Sequence, residues 1–213
     1  MPDINASGIE LLQLQSRQMG VPITEDAATR LMAYLSLLQK WNKTHNLTSV
    51  PDDQMLPLHL LDSLAILPLV SGERVLDVGS GGGFPGIPLA IAGLERDFVL
   101  VDSNRKKTSF LRQVVLELQL HNVQVETQRV EHLKTELLFD CIVSRAYASL
   151  RQFVTQTQPL RAEQGVWLAM KGLFPEQELS ELPQEIHLLA THSLQIPGIT
   201  AARHVLRLGV SHG

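Results

Sequence analysis

The chain has 213 residues, of which 44% are hydrophobic and 19% are charged, with a formal net charge of −4. This composition is typical of an ordered globular protein of one medium domain with an added module, and it excludes a disordered or low-complexity chain. The negative charge gives no global basic field for nucleic acid, so any such contact must come from a local patch.

The single cysteine, Cys141, excludes a disulfide within the chain and indicates a reducing cytoplasm. It lies in an apolar run and is predicted to be buried in a strand. The longest apolar stretch, 56–70, is interrupted by His59 and Asp62, and the start of the chain has no signal pattern. We therefore expect a cytoplasmic protein with no membrane segment and no metal site.

Helices are predicted for most of the first seventy residues, at 9–19, at 24–41 with a threonine cap, and at 57–67. In the third helix His59 and Asp62 are three residues apart and therefore share a face. This pair either anchors the helix to its neighbour through a hydrogen bond or faces a ligand cleft.

A short strand that ends in a glycine loop follows, with the sequence RVLDVGSGGGFPG at 74–86. Backbone without side chains allows a nucleotide-type ligand to approach closely. The spacing is typical of the first motif of S-adenosylmethionine (SAM) methyltransferases, and the residues that carry it are Asp77, Gly79, Gly81 and Gly83. Asp77 would either orient the loop or receive the ammonium group of the ligand. A dinucleotide fingerprint fits less well, because Phe84 occupies its third glycine position; a tight turn without a ligand is the other alternative.

The next two strands supply further candidates for a nucleoside site. The strand 98–101 ends in Asp102, which follows the first loop glycine by 23 residues and is placed to bind ribose hydroxyls. Its alternative role is to cap the following helix. After the strand 123–125, Val130 and Glu131 should border the adenine, because ligands lie beyond the carboxyl ends of the strands in doubly wound sheets.

The remaining pattern alternates helix and strand, which predicts an α/β fold with a largely parallel sheet covered on both faces. The predicted elements are a strand at 139–144, a helix at 150–160, and strands at 166–170, 186–194 and 203–208. We divide the chain into an N-terminal helical extension, 1–70, and a core domain, 71–213, which together form one structural unit.

The end of the fourth strand indicates which acceptor would be methylated. The segment 144–147 has no proline, unlike the motifs typical of transfer to exocyclic amines, and Cys141 is too core-like to be the nucleophile that pyrimidine carbon requires. A purine ring nitrogen such as N7 loses no proton, so its methylation needs position and charge compensation more than a base.

Eight motifs occur in order along the chain: NLTS (46–49), HLLDSL (59–64), DVGSGGGFPGIPLA (77–90), VDSNRKKTSFL (101–111), RVE (129–131), SRAYASL (144–150), KG (171–172) and RH (203–204). Together they resemble the bacterial 16S rRNA guanine-N7 methyltransferases, also called glucose-inhibited division protein B, over about residues 30 to 207. The resemblance implies a Rossmann-like class I SAM-dependent methyltransferase with a seven-stranded, mostly parallel sheet, which methylates guanine 527.

The resemblance also implies roles for individual residues. The cofactor would contact Asp77, Gly79, Gly81, Gly83, Phe84, Asp102, Ser103, Asn104, Val130, Glu131 and Arg145. Arg145, between the cofactor and the target base, would be the catalytic residue, although it could instead bind phosphate or brace a loop. Candidates for the RNA side of the cleft are His59, Asp62, Lys171 and Arg203. Leu58 departs from the family pattern, which usually has a basic residue before the histidine.

The partner implied by the resemblance is 16S rRNA, in the small ribosomal subunit or an assembly intermediate, and we expect a monomer. Two alternatives use the same cofactor: a methyltransferase for a small molecule, and a SAM-binding assembly factor without catalysis. NAD-dependent chemistry is a more distant alternative.

Overall fold

The computed structural model describes residues 6–210, in which seven strands form one sheet. The strands are β1 (Arg74–Val78), β2 (Asp97–Asp102), β3 (Val123–Thr127), β4 (Phe139–Ser144), β5 (Arg161–Lys171), β6 (Ile186–Ser193) and β7 (His204–Val210). Their order is β3-β2-β1-β4-β5-β7-β6. Strands β1 to β5 pair in parallel, and β7 is antiparallel to both β5 and β6. The predicted Rossmann-like, seven-stranded and mostly parallel sheet is confirmed.

The order of the strands reverses beside β1, because β2 lies on one side of it and β4 on the other. In open α/β sheets ligands bind beyond the carboxyl ends of the strands at such a reversal. The strands β1 and β2 are almost entirely buried, as expected for parallel strands with helices on both faces. Their ends are therefore held rigidly at the edge where the glycine loop begins.

The described part of the chain forms seven α-helices: α1 (Ala6–Gln18), α2 (Glu25–His45), α3 (Asp62–Leu64), α4 (Gly86–Ala92), α5 (Arg105–Glu117), α6 (Leu150–Thr157) and α7 (Glu176–Ser180). Thr24 caps α2, as predicted, by accepting a hydrogen bond from the Ala27 N–H at 3.1 Å. Ser149 caps α6 by accepting one from the Gln152 N–H. Within residues 6–210 no helix is long and apolar enough to cross a membrane.

The structure differs from the predicted elements in several places, among them α2, which continues four residues past its expected end to His45. The expected helix at 57–67 is π-helical over Leu56–Leu61, continues as α3, and gives way to a 3₁₀ turn at Leu67–Leu69 that contains Pro68. Inside this segment the Ser63 hydroxyl donates a hydrogen bond to the His59 carbonyl. Such a side-chain donor competes with the backbone N–H that accompanies this carbonyl in a regular α-helix. Strand β5 begins five residues earlier than expected, and α7 lies between two predicted strands, where no helix was predicted.

Helix α2 packs directly beneath the glycine loop. The Tyr34 hydroxyl donates to the Gly82 carbonyl at 2.5 Å, and the Tyr34 ring lies 5.5 Å from that of Phe84 and 6.3 Å from that of Phe110. Burial raises the pKa of Tyr34 well above its ordinary value, so the phenol remains a donor. This packing supports one structural unit, while the boundary at residue 70 stays a prediction.

Candidate active site

Two cavities open at the carboxyl edge of the sheet. The glycine-loop cavity, of about 500 Å³, is lined by residues 78–79, 101–103, 107, 128–131, 146–148, 152 and 156. The arginine cavity, of about 480 Å³, is lined by residues 48–50, 58–59, 62, 145, 170–172, 194 and 203–204. Because Arg145 lines one cavity and Ala146 lines the other, the two meet at the segment that follows β4.

The loop glycines serve two different purposes. Gly79, Gly81 and Gly83 have positive φ angles of 70°, 57° and 101°, which side chains rarely adopt. A Cβ on Gly79 would meet nothing closer than the Tyr147 ring at 4.0 Å, so this position leaves space for a ligand. A Cβ on Gly83 would lie 2.7 Å from Ile87 and 2.9 Å from the Tyr34 hydroxyl, so that glycine is required by packing.

Asp77 lies behind the loop and does not line the cavity. It is fully buried, and its Oδ2 accepts a hydrogen bond from the Gly86 N–H at 3.0 Å. Its Oδ1 is buried with no hydrogen-bond partner among the described residues. Burial raises the pKa of Asp77 to about 7. Of the two predicted roles, this geometry favours orientation of the loop over contact with a ligand ammonium.

Asp102 connects the glycine loop to the second strand. Its Oδ2 accepts from the Gly81 N–H at 2.9 Å, and its Oδ1 accepts from the Asn104 N–H at 2.8 Å. The carboxylate also lines the glycine-loop cavity, and each oxygen has a further lone pair for a hydroxyl donor. Asn104 itself caps α5 by accepting from the N–H groups of Lys106 and Lys107.

The structure divides the predicted cofactor residues into two groups. Those at the wall of the glycine-loop cavity are Gly79, Asp102, Ser103, Val130 and Glu131. Those outside its lining are Asp77, Gly81, Gly83, Phe84, Asn104 and Arg145. Residues of the second group support the loop, cap a helix or face the other cavity. Membership of the same sequence motifs therefore does not mean that a residue lines the glycine-loop cavity.

One group of lining residues was not predicted from the sequence. The Tyr147 hydroxyl donates to Gln156 Oε1, and Gln156 Nε2 donates to Glu131 Oε1 at 2.8 Å. Gln152 and Gln156 both line the glycine-loop cavity. They are four residues apart on α6 and hence share a face, which is the signal that could have identified them. This chain of hydrogen bonds holds the far wall of the cavity to the segment after β4.

The arginine cavity has a buried carboxylate between two arginines. Asp62 Oδ1 accepts from Arg203 Nε at 3.2 Å, and Asp62 Oδ2 lies 3.6 Å from Arg145 Nη1. The Asp62 side chain is 5% exposed, whereas the two arginine side chains are about a quarter exposed. Burial raises the pKa of Asp62, and the two arginines oppose that shift. One negative charge under two positive ones leaves the group with a net charge of about +1 when all three are ionised.

Phe84 forms the support of the arginine cavity. The His59 ring stacks on it at 4.1 Å, and the Arg145 guanidinium lies 4.7 Å from its centroid. Arg145 also donates to the Leu58 carbonyl at 3.1 Å. His59 Nε2 is 2.8 Å from Thr48 Oγ1. Burial and the nearby Arg145 lower the pKa of His59 to about 4, so the ring is neutral at pH 7.

All four predicted RNA-side residues, His59, Asp62, Lys171 and Arg203, line the arginine cavity. Lys171 is already paired, since its Nζ lies 2.9 Å from both carboxylate oxygens of Glu178. Glu178 Oε2 in turn accepts from the Leu150 N–H, which joins β5 to the start of α6. Within residues 6–210 no group of three or more histidine, cysteine, aspartate or glutamate side chains is arranged as a metal site.

Comparison of the sequence with known proteins finds a matching family and several relatives. A family described as rRNA small subunit methyltransferase G matches residues 27–206. Proteins named Ribosomal RNA small subunit methyltransferase G include one from Laribacter hongkongensis, 45% identical over 94% of this chain and 98% of its own length. Another, from Ectopseudomonas mendocina, is 52% identical over 93% of this chain and 94% of its own length.

Solved structures share the fold at low sequence identity. TrmN from Thermus thermophilus has a TM-score of 0.57 and 20% identity, and covers 70% of this chain and 48% of its own. The Pyrococcus abyssi tRNA (uracil-54, C5)-methyltransferase, solved with S-adenosyl-L-homocysteine, has a TM-score of 0.56 and 22% identity over 76% of this chain and 40% of its own. Both support the class I methyltransferase fold.

We expect Asp77→Asn to change how stability depends on pH. Because the folded-state pKa of Asp77 is raised to about 7 from 3.8, ionisation destabilises the native protein increasingly as pH rises from about 4 to about 7. The penalty is on the order of 4 kcal/mol at most. The variant lacks this penalty, so its free energy of unfolding minus that of the wild type should rise with pH.

Urea unfolding between about pH 5 and 8 measures this difference. Asp53→Asn, at an exposed position, is the control and should give a curve parallel to that of the wild type. Any hydrogen bond that the new amide loses shifts the Asp77→Asn curve by a constant amount, and only its slope reports the ionisation. A parallel curve for Asp77→Asn would contradict the raised pKa.

Proposed function

The chain belongs to the rRNA small subunit methyltransferase G family, and on this premise we propose that it transfers a methyl group from SAM to N7 of guanine 527 in 16S rRNA. The resemblance stated from the motifs is confirmed, as is the use of SAM. The observation that carries the proposal is the meeting of two cavities at Arg145 and Ala146, one suited to a nucleoside cofactor and one to a nucleobase.

The glycine-loop cavity has open space for SAM, and its rim carries hydrogen-bond acceptors for the hydroxyl groups of the cofactor. Gly79 leaves room for close approach, and Asp102 retains lone pairs for the ribose hydroxyls. Val130 and Glu131 form the wall where the adenine would lie. When bound, SAM supplies a methyl group made electrophilic by its sulfonium. A volume of about 500 Å³ is in the range of small-molecule and cofactor sites.

The residues near the end of β4 favour a ring nitrogen as the acceptor. Cys141 is fully buried, and burial raises the pKa of its thiol to about 12, so it is not a nucleophile. The Ser144 hydroxyl is buried and donates to the Val78 carbonyl. A purine N7 needs neither group, since its lone pair is already available and no proton leaves.

Charge compensation is the main chemical task at such an acceptor. Methylation of N7 leaves a positive charge on the purine ring, and Asp62 is the carboxylate that lines the arginine cavity. Burial raises the pKa of Asp62, and Arg145 and Arg203 oppose that rise, so the two arginines favour its ionised form. Electrostatic groups held in place before the reaction are worth more than groups that must reorganise.

We assign to Arg145 the positioning of the base. It is held from three sides, by the Phe84 ring, the Leu58 carbonyl and the Asp62 carboxylate. A guanidinium has five N–H donors in a fixed plane, so further donors remain for guanine or phosphate. Leu58, which departs from the family pattern, contributes its backbone carbonyl rather than a charge.

We place the reaction in the cytoplasm, catalysed by a monomer on the small subunit or an assembly intermediate. The direct test is transfer of labelled methyl to small subunits from a strain that lacks the enzyme, followed by mapping of the modified base. We expect one N7-methylguanine, at position 527, and no transfer to subunits from a strain that contains the enzyme. Label at another position or on another atom would contradict the proposal.

Replacing Asp102 should weaken cofactor binding. A charged hydrogen bond contributes about 1.5 to 3 kcal/mol, so Asp102→Ala should raise the Kd for SAM by roughly 10- to 150-fold. Asp102→Asn keeps one acceptor oxygen and should lose less affinity. Isothermal titration with SAM measures both. Asp97→Ala, at the exposed start of the same strand, is the matched control, and unchanged affinity in Asp102→Ala would refute the ribose assignment.

Replacing Arg145 should lower turnover more than cofactor affinity. Arg145→Ala removes the group that we place between the cavities, and misplacement of a base by about 1 Å can cost on the order of 100-fold in rate. We therefore expect kcat to fall by about two orders of magnitude while the Kd for SAM changes less than about threefold. Steady-state methylation at saturating concentrations of subunits and titration with SAM give the two values. Arg151→Ala, an exposed arginine on α6, should keep the kcat of the wild type; full turnover in Arg145→Ala would remove Arg145 from the mechanism.

A further inference from the structure

Two exposed apolar side chains lie next to residues that line the arginine cavity. Leu173 is 82% exposed and Phe174 is 40% exposed, and both follow directly after β5. The preceding residues, Lys171 and Gly172, line the cavity itself. Burial of this apolar surface against a ligand would stabilise the complex. The two side chains are therefore candidates for contact with a molecule that binds at the cavity.

The segment that carries these side chains is anchored on both sides. On one side Lys171 is paired with Glu178 of α7 at 2.9 Å. On the other, His204 Nδ1 lies 2.9 Å from the Gly172 carbonyl, and the His204 ring meets the Phe174 ring edge-on at 6.0 Å. The exposed side chains are therefore presented in a defined orientation by a fixed backbone, and a ligand that contacts them pays little ordering cost.

Other exposed leucines occupy a different place in the fold. Leu94 follows α4 and is 55% exposed, and Leu116 near the end of α5 is 73% exposed. Both lie at the opposite edge of the sheet, where the helices return to begin the next parallel strand. Leu173 and Phe174 differ from them because they follow Gly172, which lines the arginine cavity, and because the Phe174 ring meets that of His204, which also lines it.

We propose that Phe174, with Leu173 beside it, is a stacking platform for an unpaired nucleobase next to the guanine that enters the arginine cavity. This inference rests on the proposed function. Single-stranded RNA is recognised largely by stacking of splayed bases on aromatic side chains. Two side chains offer far less than the roughly 800 Å² that each partner buries in a stable protein interface, yet they match the face of one base.

Charge at the same rim complements an RNA strand. Arg145 and Arg203 are partly exposed in the arginine cavity and carry one more positive charge than Asp62 balances. A phosphate that follows the target nucleotide would meet this excess charge, while the neighbouring base would meet the apolar platform. The combination of basic groups and an adjacent aromatic ring is the pattern that single-stranded nucleic acid requires.

Steady-state methylation of small subunits tests the platform. Phe174→Ala should raise the KM for the subunit by about tenfold, with kcat at saturation and the Kd for SAM unchanged. Phe174→Tyr preserves the aromatic face and should stay within about twofold of the wild type. Leu116→Ala, which removes an exposed leucine from the opposite edge, should leave KM unchanged. An unchanged KM in Phe174→Ala, or an equal loss in Phe174→Tyr, would overturn the inference.

A second variant reports stacking directly. In Phe174→Trp the fluorescence of the new indole should fall when a protein-free oligoribonucleotide with the target sequence is added. The wild-type protein gives the reference signal. An oligoribonucleotide that is abasic beside the target guanine should not cause this fall. Quenching by complete subunits alone would indicate a protein partner and overturn the inference. If the wild type transfers no methyl to subunits, the proposed function fails and the inference with it, whereas transfer with an unaffected KM refutes the platform alone.

Discussion

The site depends on a glycine loop that side chains from three different elements hold by its backbone. Asp77 of β1 accepts from the Gly86 N–H, Asp102 of β2 accepts from the Gly81 N–H, and Tyr34 of α2 donates to the Gly82 carbonyl. The glycines of this loop have no side chains with which to pack, and they lose more conformational entropy on folding than other residues do. External anchors therefore replace the missing packing, and the raised pKa of the buried Asp77 shows that this support has an energetic cost.

The same loop also shapes the acceptor side. Phe84 leaves the loop toward the arginine cavity, where its ring supports both His59 and Arg145. A shift of the loop would therefore displace residues at the walls of both cavities at the same time. Tyr34 and the 48–62 region contact the loop or the residues that it supports, so the helical N-terminal part of the chain helps to shape both cavities.

Local features of the sequence were sufficient to predict most of the strands, the glycine loop, the Thr24 cap and the place of Asp102 beside that loop, because each depends on neighbouring residues or on a fixed spacing. The contacts of Asp62 were not predictable in this way. Its partners Arg145 and Arg203 are distant in sequence, and no local pattern specifies which carboxylate will meet them. The place of Phe84 was missed for a similar reason: a position inside a cofactor motif hides the fact that its ring points to the other cavity.

The arginine cavity has only a small excess of positive charge, in a protein whose net charge is −4. Lys171 is neutralised by Glu178, and Asp62 offsets one of its two arginines, so few cations remain free for phosphate. Because electrostatic affinity scales with the number of phosphates neutralised, this rim alone would bind RNA weakly and with a shallow salt dependence. Stacking on an exposed aromatic ring adds affinity that salt screens little, and it acts only on bases that are already unpaired. If Phe174 stacks on a base as we propose, we expect the enzyme to discriminate against duplex RNA through the part of its binding energy that does not come from charge.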